Sequence, residues 1–135
     1  MMIGIWSSYS DIFIYVNATA LLLAFCIPMM IAPMKWAKVL RWHIPDHEHL
    51  AIYLGRSLGG FACVLALFGF KAVNDSSLLP FYFDMGLGIY IAMIVIHAYG
   101  GIRKIQPLTE TVEILFWIGQ VVLTLCFYPG TKVFL

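Results

Sequence analysis

The sequence has little charge. Of its 135 residues 11% are Asp, Glu, Lys or Arg, where a soluble domain carries about 25%. A hydrophobic share of 62% and a mean hydropathy of +0.92 place it in the membrane class instead. The net charge of +1, with no basic patch outside the loops, excludes a nucleic-acid partner. Cysteine is scarce too. Cys26, Cys63 and Cys126 each sit in an apolar run and form no C-x-x-C, so they read as small core residues and not as a redox pair. The N-terminus lacks the basic region of a secretory signal, and Phe25 is too large for a lipoprotein cleavage site before Cys26. The first apolar run is therefore expected to be retained. No Ser–His–Asp arrangement, phosphate loop or H-E-x-x-H motif occurs, and His47-Glu48-His49 is not the last of these. The paired Glu-x-x-His motifs of a di-iron bundle are missing as well. No catalysis is expected.

What the chain does have is long apolar runs. Residues 12–31, 49–72, 81–99 and 108–128 are each long enough to cross a bilayer as a helix. The expected fold is all-α, a single four-transmembrane-helix bundle over residues 1–135. Pro28 is expected to kink the first span. Between spans one and two, Lys35, Lys38 and Arg41 alternate with Trp36, Val39, Leu40 and Trp42, the pattern of a short interfacial segment. Pro45 then breaks the chain, and Asp46 is a candidate cap. Gly100-Gly101 closes the third span, and Pro107 and Glu110 suit the first turn of the fourth.

Basic residues set the orientation. Lys35, Lys38, Arg41, Arg103 and Lys104 share one side, while Lys71 and Lys132 lie on the other. The positive-inside rule places loops one and three in the cytoplasm and both termini outside, with a bacterial inner membrane as the expected home.

The buried polar residues are the candidate site. Arg56, His97 and Glu113 fall at similar depth near the cytoplasmic side, so an Arg56–Glu113 ion pair beside His97 is expected. It would act as a structural tie or as a ligand pocket. Glu113, Gln120 and Thr124 share one face of the fourth helix, spaced for interhelical hydrogen bonds. Asn17 and Asp84 are a candidate pair at the other side. Gly55, Gly59, Ala62 and Ala66 form a small-residue stripe for close helix packing. His43, His47 and His49 offer metal-ligand chemistry, but their spacing matches no specific site, so no metal is expected. His49 and His97 are the pair that could clamp a haem.

Arg56-Ser57-Leu58-Gly59, followed by Phe68-Gly69-Phe70-Lys71, resembles the R-x-L-G … G-x-x-K rhythm of a helix in the DoxX-like family. Here one residue fewer separates glycine from lysine, and the stretch lies in the second span. The resemblance implies a small four-helix membrane protein that accompanies a membrane-bound redox enzyme.

The leading expectation is thus a non-catalytic integral subunit or accessory protein of a larger, redox-linked membrane complex. Its partners would be membrane lipids and other integral subunits, or further copies of itself. The alternative is a small membrane binder of a quinone, lipid or haem at the Arg56/His97/Glu113 layer. A small dimeric transporter is the third reading.

Overall fold

The computed structural model describes residues 3–130, so Lys132 lies outside the described residues. These residues are all-helical. Five helices follow one another: α1 (Ser7–Ile31), α2 (Pro33–Val39), α3 (His49–Asn74), α4 (Leu79–Arg103) and α5 (Leu108–Phe127). All but the short α2 are long and apolar enough to cross a membrane.

The disturbance expected at Pro28 takes the form of a π-helical turn over Leu22–Cys26. A proline ring crowds the carbonyl four residues upstream and offers it no N–H. That carbonyl belongs to Ala24, and the indole N–H of Trp36 donates to it at 2.9 Å. The chain breaks at Ala32 (φ −141°, ψ 62°), and Pro33 opens α2 where its missing N–H costs nothing.

The long helices associate as two pairs, α1 with α3 and α4 with α5. In the first pair, the buried small residues of α3 lie beneath α1 and the start of α2. A Cβ built on Gly59 would come within 2.9 Å of the Met30 backbone nitrogen, and one on Gly55 within 2.6 Å of the Pro33 ring. Ala62 and Ala66 pack against Cys26.

The two pairs join mainly at the end of the molecule that holds Gly4 and Trp6. Gly4 and Trp6 donate backbone N–H groups to Leu125 and Cys126, each at 2.9 Å, and the Ser10 hydroxyl bonds the Phe127 carbonyl at 2.6 Å. These are carbonyls that the end of α5 leaves without helical donors. Phe13, Ile14, Ala72, Leu79, Phe83, Leu87 and Tyr128 form the core at this end. At the opposite end the pairs are tied by polar side chains. Those side chains define the site.

Candidate functional site

The turn between α4 and α5 is short. Lys104 takes a left-handed conformation (φ 54°) and ends α4. The Gln106 amide then reaches back, donating to the His97 carbonyl at 2.9 Å and to the Thr111 hydroxyl at 3.1 Å. It lies where a Cβ on Gly100 would have to be, so only glycine admits it there. The result is that α5 starts directly beside His97, with Glu110 and Glu113 one turn apart on the facing side.

His97 is buried, 4% exposed. Its Nδ1 lies 2.7 Å from the Met93 carbonyl oxygen. A carbonyl only accepts, so Nδ1 carries a proton. Nε2 points at two carboxylates, 3.1 Å from Glu110 Oε2 and 3.7 Å from Glu113 Oε2. The other Glu110 oxygen, Oε1, accepts the indole N–H of Trp42 at 2.8 Å. Thr109 Oγ1 donates to the Leu40 carbonyl at 2.5 Å, fixing the same loop to the start of α5.

This geometry asks for a proton or a cation. One neutral imidazole nitrogen and two carboxylate oxygens would face one another lone pair to lone pair. A proton on Nε2 satisfies part of that set and leaves one net negative charge; a divalent cation neutralises both carboxylates. The ligand atoms of His97, Glu110 and Glu113 all lie within 4.8 Å of one another, the compactness a single ion needs. An Nδ1–H held by a backbone carbonyl is also the arrangement that fixes Nε2 as a metal ligand.

Of the residues picked out by sequence, His97 and Glu113 are brought together here. Arg56 is not. It is exposed on α3 and lines a separate groove of about 180 Å³ with Pro33, Lys35, Glu48 and Ile52. The ion pairs among the described residues are those of His97 with Glu110 and Glu113, so the expected Arg56–Glu113 pair is replaced. The physical reason is that α3 packs on α1 and builds no extensive interface with α5. Arg56 lies about 10 Å along α3 from its start, and its long stem can hold the charge out at the exposed surface.

Gln120 lies two turns below Glu113, about 10 Å along the helix. Its Oε1, Trp117 Nε1 and Thr124 Oγ1 are buried, and none has a hydrogen-bond partner among the described residues. The interhelical bonds expected along this face are therefore not formed by Gln120 Oε1 or the Thr124 hydroxyl. The Trp117 ring lies between Tyr90, at 5.9 Å, and His97, at 6.0 Å. Asn17 donates to the Phe13 carbonyl within its own helix, and Asp84 accepts the Tyr128 hydroxyl at 2.7 Å. His49 is exposed at the first residue of α3, while His97 turns to α5. Among the described residues His43, His47 and His49 join no group of three ligating side chains.

Sequence reasoning missed Glu110 and Trp42. Glu110 had a sufficient explanation as an acid in the first turn of a helix, which it also is. The overlooked signal is its spacing of three from Glu113, which puts both carboxylates on one face. Comparison with protein-family models, curated proteins and solved structures returns no match.

Proposed function

We propose that the protein is a small, non-catalytic, four-span membrane protein that binds one divalent metal cation at His97, Glu110 and Glu113. The observation that carries this reading is the direction of the His97 ring. Its committed Nδ1–H leaves Nε2 facing two carboxylates in a buried place. One imidazole and two carboxylates suit Mn²⁺, Fe²⁺ or Zn²⁺, and three protein ligands leave coordination positions open. The ligating atoms of His97, Glu110 and Glu113 lie within 4.8 Å of one another, a compactness that suits an ion better than a quinone or a haem. Four apolar helices and the spread of basic residues support a multi-pass orientation with both termini outside and loops one and three cytoplasmic. The metal would then lie toward the cytoplasmic face of a bacterial inner membrane.

The test is metal analysis and calorimetric titration of chelator-stripped protein in detergent, with Mn²⁺, Fe²⁺ and Zn²⁺ as probes. Binding of one equivalent per chain, lost in Glu113→Gln, is expected. No binding and no thermal stabilisation by any of the three would refute the reading and leave His97 as a structural tie between α4 and α5.

A subunit role in a larger complex is the second reading. The wide apolar outer face of α3, including Leu54, Leu58 and Phe61, favours it, as does the DoxX-like rhythm around Arg56. Native mass spectrometry of the protein taken gently from its membrane separates a lone metal-bearing species from one with partner chains at fixed stoichiometry.

A further inference from the structure

The helix ends around the site carry a second feature, which adjoins the proposed metal site at Trp42 but uses none of its ligands. Among the described residues two non-glycine residues have positive φ, Arg41 at 65° and Lys104 at 54°. Each sits just past a helix end. Arg41 N–H bonds the Lys38 carbonyl and Trp42 N–H the Ala37 carbonyl, both at 3.0 Å. Lys104 N–H bonds the Gly101 carbonyl at 3.2 Å and Ile105 N–H the Gly100 carbonyl at 3.1 Å. Both are Schellman turns, and glycine is the residue that enters their left-handed position without steric cost. Here the position is filled twice by a cation, at the ends of two helices distant in sequence.

The two turns line one cleft of about 280 Å³, whose walls are Arg41, Trp42, His43, Lys104, Gln106 and Pro107, with Ile105 beside them. Neither Arg41 nor Lys104 takes part in an ion pair among the described residues. The nearby acid, Glu110, is engaged by Trp42 and His97. Two basic residues without an ion pair among the described residues thus line one concave space, beside a tryptophan and an exposed isoleucine.

We infer that this cleft is a seat for a phosphate-class anion, the chemistry shared by an anionic lipid headgroup and a free phosphate compound. The Arg41 guanidinium supplies a planar fork for two phosphate oxygens and the Lys104 ammonium a point charge. Trp42 and Ile105 suit the apolar shoulder of a lipid at headgroup level. The lipid source rests on the four-span reading; the anion seat itself does not.

The test is thermal melting and native mass spectrometry of detergent-purified protein with phosphatidylglycerol, phosphatidylcholine or inorganic phosphate added. Arg41→Gly combined with Lys104→Gly is the informative variant, because glycine keeps both turns while removing both charges. It should melt at or above the wild type without lipid, which shows the fold intact. Its phosphatidylglycerol binding should fall on the order of tenfold or more, while Lys35→Gln with Lys38→Gln, an equal loss of charge outside the cleft, should retain the wild-type response. Stabilisation by phosphatidylglycerol alone, lost in the glycine variant, assigns the seat to a lipid headgroup. Stabilisation by inorganic phosphate as well, lost in the same variant, supports the seat and extends it to soluble phosphates. No anion-dependent shift in the wild type, a shift retained in the glycine variant, or an equal loss in the Lys35/Lys38 variant would overturn the inference. Because no metal enters these measurements, failure of the metal reading leaves them unaffected.

Discussion

Trp36 donates its indole N–H at 2.9 Å to the Ala24 carbonyl, the oxygen that Pro28 deprives of a helical donor. The π-turn before Pro28 and the fold-back of α2 are therefore two halves of one arrangement. Trp36→Phe keeps a ring against Phe25, which the indole meets edge-on at 5.2 Å, but removes the donor. It should cost about 0.5–1.5 kcal/mol. Adding Pro28→Ala should recover part of that loss, since an alanine in place of Pro28 carries the backbone N–H that proline lacks. A thermal-melt cycle reads the coupling, and strictly additive losses would mean the Ala24 carbonyl is satisfied in another way.

Arg56 and Glu113 should behave independently. Arg56 is exposed on α3 and Glu113 faces His97, so their substitutions share no partner. Arg56→Ala combined with Glu113→Gln should give the sum of the single effects within about 0.5 kcal/mol. Rescue of one by the other would show that the two side chains meet.

Gly59 and Gly60 are neighbours in sequence with opposite surroundings. A Cβ at Gly59 meets the Met30 backbone at 2.9 Å, whereas one at Gly60 meets nothing within 4 Å. Gly59→Ala should cost about 1–3 kcal/mol because the obstructing atom is backbone. Gly60→Ala should be neutral or stabilise by about 0.5–1 kcal/mol, as expected for a glycine removed from a helix interior. Equal melting temperatures for the two variants would contradict the α1–α3 contact.

Trp42 holds Glu110 Oε1 at 2.8 Å and would act on the proposed metal site through it. Trp42→Phe should weaken metal binding by about 10–100-fold without removing a ligand. Affinity in the wild type should also fall on acidification, since protons compete for the His97 Nε2 and both carboxylates. Calorimetry across a pH series measures both, and an affinity independent of pH would argue against this ligand set.

Thr124 is 1% exposed and its hydroxyl has no hydrogen-bond partner among the described residues. Thr124→Val matches its shape and removes the unsatisfied group, so the variant should melt at or above the wild type. A clear loss of stability would reveal a partner for that hydroxyl.

The sequence by itself determined the class of fold and that four helices are long and apolar enough to cross a membrane. Hydropathy and charge are properties of each stretch alone, so the four runs were legible without knowing their neighbours. The four long helices differ from those runs chiefly by extension, as α4 reaches from Leu79 to Arg103. The small residues at positions 55, 59, 62 and 66 were legible too, because their spacing follows one helix. Which helix meets which was not. The sequence puts Arg56 and Glu113 at a similar expected depth, but depth does not decide rotation or pairing, and the α1–α3 and α4–α5 pairs separate them. Glu110 and Trp42, 68 residues apart, became functional candidates only when the turn at Lys104 and the fold-back at Ala32 brought their helices to one end. The site is a product of two tight turns and a helix pairing. Those depend on contacts among distant residues, and a sequence read in windows contains none of them.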